Sequence, residues 1–113
     1  MREITIDDLA SAVAGGAHLV DVRETAEYVA GHVPGAVNIP MGHLTSRLDE
    51  LERSAPVLLV CASGNRSGAM ADVLLAQGFD PVNVLGGTTA WIASGRPVQT
   101  GTQPGRRDDV VTR

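Results

Sequence analysis

The chain has 113 residues, 43% of them hydrophobic and only 3% aromatic, enough for one domain with an aliphatic core and hardly for two. Its formal net charge of −4 argues against nucleic acid or an anionic membrane as the main partner. All nine positive charges are arginines, and the lack of lysine excludes Schiff-base and lysine-nucleophile chemistry.

In chain order, Thr5 is placed to cap a helix beginning Ile6-Asp7-Asp8-Leu9-Ala10, with Asp8 in the capping-box position and Gly15-Gly16 as the stop. His18-Leu19-Val20-Asp21-Val22 reads as a short buried strand, Glu24 to Ala30 as a helix ended by Gly31, and Ala36 to Ile39 as a second strand closed by Pro40. Met41, Leu44, Leu48 and Leu51 recur at helical spacing and predict a third helix. Val57 to Val60 is a continuous aliphatic run, the pattern of a strand covered on both faces. Ser67 to Gln77 reads as a helix, Val82 to Leu85 as a strand, and Thr88 to Ser94 as a helix carrying the core residue Trp91. Strands alternating with helices at these intervals predict an α/β domain over residues 1–98 with a mostly parallel sheet between helical layers. Residues 99–113 are polar and rich in Pro and Gly, and they read as a flexible C-terminal tail.

Cys61 is the only cysteine, so neither an internal disulfide nor a thiolate-rich metal cluster can form. His18, His32 and His43 lack the spacing of a helical metal site, and no metal or cofactor is expected. The N-terminus lacks a signal-like apolar run, and Pro56 to Ala62, the longest apolar stretch, is far below membrane-spanning length. A cytoplasmic setting without membrane attachment is expected. No heptad or large apolar face asks for more than a monomer or weak dimer.

Cys61 stands at the carboxyl end of the strongest strand, where open α/β sheets place their ligands. Ala62-Ser63-Gly64-Asn65-Arg66 follows, with Ser67 at or next to the N-cap of the next helix. Small residues let this loop curl so that its N–H groups converge with the helix N-terminus into an anion-binding nest, for which Gly64 and Asn65 both tolerate left-handed backbone. Such a nest beside Arg66 lowers a thiol's pKa and holds an extra anionic sulfur. Cys61 is therefore the candidate nucleophile, and residues Ala62, Ser63, Gly64, Asn65, Arg66 and Ser67 form the candidate anion-binding loop. Asp21 and Arg23 end the first strand near that loop, as a site rim or as a structural ion pair joined by Glu27. His32 lies in a turn sequence and reads as a turn-stabilising residue.

These residues give the chain a specific likeness. Asp21-Val22-Arg23 with Glu27-Tyr28, the run Gly31-His32-Val33-Pro34-Gly35-Ala36-Val37-Asn38-Ile39-Pro40, the loop Cys61 to Ser67, and Gly86-Gly87, Ala90-Trp91 and Gly95-Arg96-Pro97-Val98 occur in the order of the rhodanese-like domain family. From Ile4 to Val98 the chain resembles that family. The resemblance implies a five-stranded parallel sheet flanked by helices, and a persulfide carried on Cys61. It also implies a sulfurtransferase that takes sulfane sulfur from thiosulfate, a persulfide or a polysulfide. The acceptor would be external: cyanide, glutathione, or a protein thiol such as thioredoxin. A sulfur-relay or sensing module docked to a protein partner is the alternative. A phosphatase-like or arsenate-reducing activity fits less well, because related enzymes of that kind place the arginine six residues after the cysteine, where this chain has Ser67. Ala62 stands where many similar loops carry a second basic residue, which weakens the attraction for thiosulfate.

Overall fold

The aliphatic run expected as a strand covered on both faces is β4, Pro56–Val60, and it alternates between two cores. Leu58 and Val60 enter one apolar cluster, while Val57, Leu59 and Cys61 enter the other. The computed structural model describes residues 2–106. Around β4 lie β1 (Arg2–Ile4), α1 (Ile6–Ala14), β2 (His18–Asp21), α2 (Thr25–Ala30), β3 (Val37–Asn38), α3 (Asn65–Ala76), β5 (Asp80–Val84) and α4 (Gly87–Ala93). The five strands form one parallel sheet in the order β1-β5-β4-β2-β3. Helix α1 and Trp91 of α4 pack on one face of the sheet; Ala71 and Leu74 of α3 pack on the other. This is the expected three-layer α/β arrangement. No described helix is long and apolar enough to cross a membrane.

Local signals place most boundaries. The Thr5 hydroxyl accepts from the Asp8 amide at 3.3 Å and starts α1, which buries Leu9, Ala10 and Val13. Glu24 and Glu27 form a reciprocal capping box at the head of α2. Strand β1 has no counterpart among the strands read from the chain. Its three residues are too few to show alternation, and only pairing with Val82–Val84 of β5 makes them a strand.

The third helix is corrected. Met41–Ser46 and Leu48–Glu50 form two short 3₁₀ turns separated at Arg47. Gly42 is a poor helix former, and the Ser46 hydroxyl donates to the His43 carbonyl at 2.9 Å, competing with a continuous helical ladder. The inward face was legible even so: Leu44 and Leu51 are buried, and Met41 and Leu48 pack against the same core.

Within the segment read as a flexible tail, the chain up to Pro104 is hydrogen-bonded to the domain. Gln99 exchanges two backbone hydrogen bonds with His32, the Gly101 amide donates to Val29 O, and the Gly35 amide donates to Pro104 O. The remainder of the segment from 107 lies outside the described residues. Fully buried His32 joins this strap to the domain: its ring nitrogens lie 2.7 Å from Tyr28 O and 2.9 Å from Gln103 O. The imidazole also stacks on Tyr28 at 3.6 Å between centroids. Burial, with nearby Asp21, pushes the Tyr28 hydroxyl up to about 12, and it donates to Ala36 O. Replacing His32 by alanine removes two contacts and a packed ring, so we expect a loss of about 2–4 kcal/mol in urea unfolding. Amide exchange at Gln99 and Gly101 should accelerate more than exchange in β4.

Candidate active site

Chain direction creates the site. From β2 the chain steps outward to β3, then returns to lay β4 on the other side of β2, so the carboxyl ends of β4 and β2 border the point where strand order reverses. Cys61 follows β4 there, and Asp21 pairs in register with Val60.

Gly64 makes the turn after Cys61. Its φ of +104° is readily open only to glycine, and it caps α3 in place of Ser67. The helix starts two residues earlier than expected, so Asn65, Arg66 and Ser67 form its first turn. Asn65 needs no left-handed conformation, and no described non-glycine residue has positive φ. Ser67, released from the capping role, is fully buried with its Oγ 3.3 Å from Cys61 Sγ.

The sulfur sits among donors. The Gly64 amide donates to Sγ at 3.1 Å. Burial is the largest single influence on the thiol and disfavours ionisation. The Ser67 hydroxyl, whose one proton Sγ shares with a second acceptor, and the amides of Ser67, Gly64 and Ser63 together outweigh it and hold the pKa below the ordinary thiol value. Cys61 is only 1% exposed, so a reacting group must be slender enough to enter the loop. Ala62 is partly covered, and Ser63 and Asn65 are exposed at the mouth.

Two ion pairs flank the loop. Asp21 and Arg23 are both buried, with Arg23 Nη2 2.8 Å from Asp21 Oδ2 and also donating to Gly31 O. The pair braces the end of β2 against the turn after α2, and neither side chain lines an open rim. Arg66 and Glu27 form a two-pronged pair at 2.7 and 2.9 Å. Hydrogen bonding from Arg66 is the main reason the Glu27 carboxyl is held down to about 2. Glu27 thus belongs with Arg66 and not with the Asp21–Arg23 pair, and the loop's cation faces an anion already.

Four residues outside the candidate loop help to build the site, and the sequence reading gave none of them a part in it. Gly87 is buried against the Cys61 and Ala62 carbonyls, and the next two amides, Thr88 and Thr89, donate to those carbonyls at 2.8 and 3.0 Å. Asn83 of β5 is 3% exposed and bonds both Ser67 and Gly64. Its signal was present: a polar residue inside the aliphatic run Val82 to Leu85 requires a partner.

The structure is thus a parallel α/β domain with a buried cysteine in an amide-lined loop after its central strand. The model of the rhodanese-like domain matches residues 5–94, and the chain belongs to that family. Among curated relatives, the protein named "Putative sulfurtransferase YtwF" of Bacillus subtilis is 39% identical over 80 residues, covering 71% of this chain and 78% of that protein. The one named "Putative sulfur carrier protein YrkF" from the same organism is 40% identical over 75 residues; the match covers 66% of this chain but 40% of that relative. A rhodanese-related protein from Thermoplasma volcanium superposes with a TM-score of 0.82 at 35% identity, over 88% of this chain and 98% of its own. A rhodanese-like domain protein from Staphylococcus aureus gives 0.76 at 36% identity, over 80% of this chain and 91% of its own.

Proposed function

We propose that this domain is a sulfurtransferase that carries sulfane sulfur as a persulfide on Cys61. The observation that carries the reading is the set of donors around Sγ, led by the Gly64 amide at 3.1 Å. The Cys61 thiolate attacks the outer sulfur of a donor. A new S–S bond forms, and the donor's bond to that sulfur breaks, its electron pair leaving with sulfite or a thiolate. An external thiol or cyanide then attacks the outer sulfur, and Cys61 departs as the thiolate that began the cycle. The loop amides hold the anionic charge throughout.

The surroundings favour persulfide or polysulfide donors over thiosulfate. Ala62 supplies no charge, and Arg66 is neutralised by Glu27. Glu27→Gln keeps a side chain able to complete the capping box while freeing the arginine's charge. The KM for thiosulfate should fall about two- to tenfold at low ionic strength, and the gain should shrink with salt. With the Glu27 carboxyl held near 2, the contrast between the two proteins should stay level from neutral pH down to moderately acid conditions. The sign follows from the depressed carboxyl: the wild-type pair persists above the ordinary carboxylate range and is lost only as pH falls toward 2.

The test is intact-mass spectrometry after incubation with glutathione persulfide or thiosulfate. A cyanide-labile gain of one sulfur is expected, and absence of any adduct with every sulfane donor would sink the proposal. A sulfur-relay role, in which a partner protein's thiol or persulfide is the natural substrate, is favoured by the same closed Arg66–Glu27 pair and by the relative named as a sulfur carrier. It predicts full loading with slow small-molecule turnover. Either role suits a reducing cytoplasmic setting and a monomer or weak dimer.

A further inference from the structure

The Ser67 hydroxyl has one proton and two neighbours placed to take it. Asn83 Oδ1 accepts at 2.6 Å, and Cys61 Sγ lies 3.3 Å away. The orientation of the Asn83 amide follows from its other contact. Nδ2 faces the Gly64 carbonyl at 3.2 Å, and that oxygen can only accept, so a flipped amide would set two acceptors against each other. Oδ1 is thereby pinned toward Ser67 in a site from which water is almost excluded.

The bonding differs with the state of the sulfur. A neutral Cys61 thiol can donate to Ser67 Oγ while Ser67 donates to Asn83 Oδ1, and the chain is satisfied. A thiolate has no proton to give and competes for the serine's own. Turning that proton to Sγ leaves Asn83 Oδ1 buried without a donor, which is costly. We propose that Asn83 is a positioning residue that competes with Cys61 for the Ser67 hydroxyl proton and so opposes accumulation of negative charge on Sγ. If Cys61 carries sulfur as proposed above, the charge of the persulfide resides mainly on the outer atom. The Ser67–Asn83 bond can then re-form, and Asn83 favours the loaded carrier over the bare thiolate.

The charged groups near the sulfur are Arg66 of α3, closed on Glu27 of α2, and the Asp21–Arg23 pair after β2. The variants below leave all four unchanged. Because Cys61 is the sole cysteine, ultraviolet thiolate absorbance against pH reports it alone. Asn83→Ala, or Asn83→Val with its better strand propensity, should lower the titration midpoint by about half to one pH unit. Below the midpoint this is roughly a three- to tenfold larger thiolate fraction. Ser67→Ala alone should raise the midpoint by less than about half a unit, since its proton is already largely held elsewhere. Adding the Asn83 substitution to Ser67→Ala should change nothing further. A merely structural role would loosen the loop and move the midpoint upward. An upward or absent shift in the Asn83 variant overturns the proposal. So does an undiminished downward shift without Ser67, or a larger rise in Ser67→Ala alone, which can be read even if both Asn83 variants fail to fold. Sulfur loading measured by mass is a separate readout: its failure defeats the transfer reading and leaves the titration result standing.

Discussion

Cys61→Ser is expected to abolish sulfur loading and to reduce transfer from a persulfide donor to cyanide by roughly a thousandfold or more. A serine hydroxyl in the same place is scarcely ionised at neutral pH, and the loop's donors cannot make up the difference between an alcohol and a thiol. The fold should tolerate the change. Serine is smaller and still meets the Gly64 amide and the Ser67 hydroxyl, so the urea midpoint should reflect a change of about 1 kcal/mol or less. Stopped transfer in a protein that unfolds normally separates chemistry from packing. Residual transfer within tenfold of wild type would remove Cys61 from the mechanism.

The second large effect concerns a residue with no reactive group. A methyl group added at Gly87 would lie 2.5 Å from Cys61 O and 2.6 Å from Ala62 O, and the backbone there has φ of +59°. Both obstructing atoms are backbone, so no rotamer change relieves the clash. The start of α4 must retreat from the loop, weakening the hydrogen bonds from Thr88 and Thr89 to the same carbonyls. Gly87→Ala should cost roughly 2–4 kcal/mol in urea unfolding. Sulfur loading should fall further than the folded fraction does, because the retreat displaces the donors around Sγ. Gly42→Ala is the control. A methyl there meets nothing within 4 Å, and its effect should stay within about 0.5 kcal/mol. Equal behaviour of the two variants would show that close approach at Gly87 does not hold the loop.

Fold class was legible because β4 is a run whose burial on two faces leaves an unbroken aliphatic signature, because the shorter apolar stretches of β2 and β5 alternate with helices, and because α1 and α2 carry their own caps. Cys61 could be proposed as nucleophile from the chain because small residues between a strand and a helix serve no packing purpose there. The segment from Met41 to Leu51 failed for an instructive reason: apolar residues three and four apart suit a single helix and two 3₁₀ turns alike. The pattern identifies the buried face but not the backbone that presents it.

Cys61 and the composition of its loop, with the sheet that presents them, were determined by the sequence itself, since each rests on neighbours within a few positions. Tertiary structure alone decided what the polar groups meet. Arg66 finds Glu27 39 residues away, Ser67 finds Asn83 16 residues away, and His32 finds Gln103 71 residues away. Periodicity records whether a side chain faces in or out, but it carries no information about which distant donor or acceptor will be waiting. For that reason the thiol was readable from the chain, while the neutralised arginine and the contested serine proton emerged only once the strands were laid side by side.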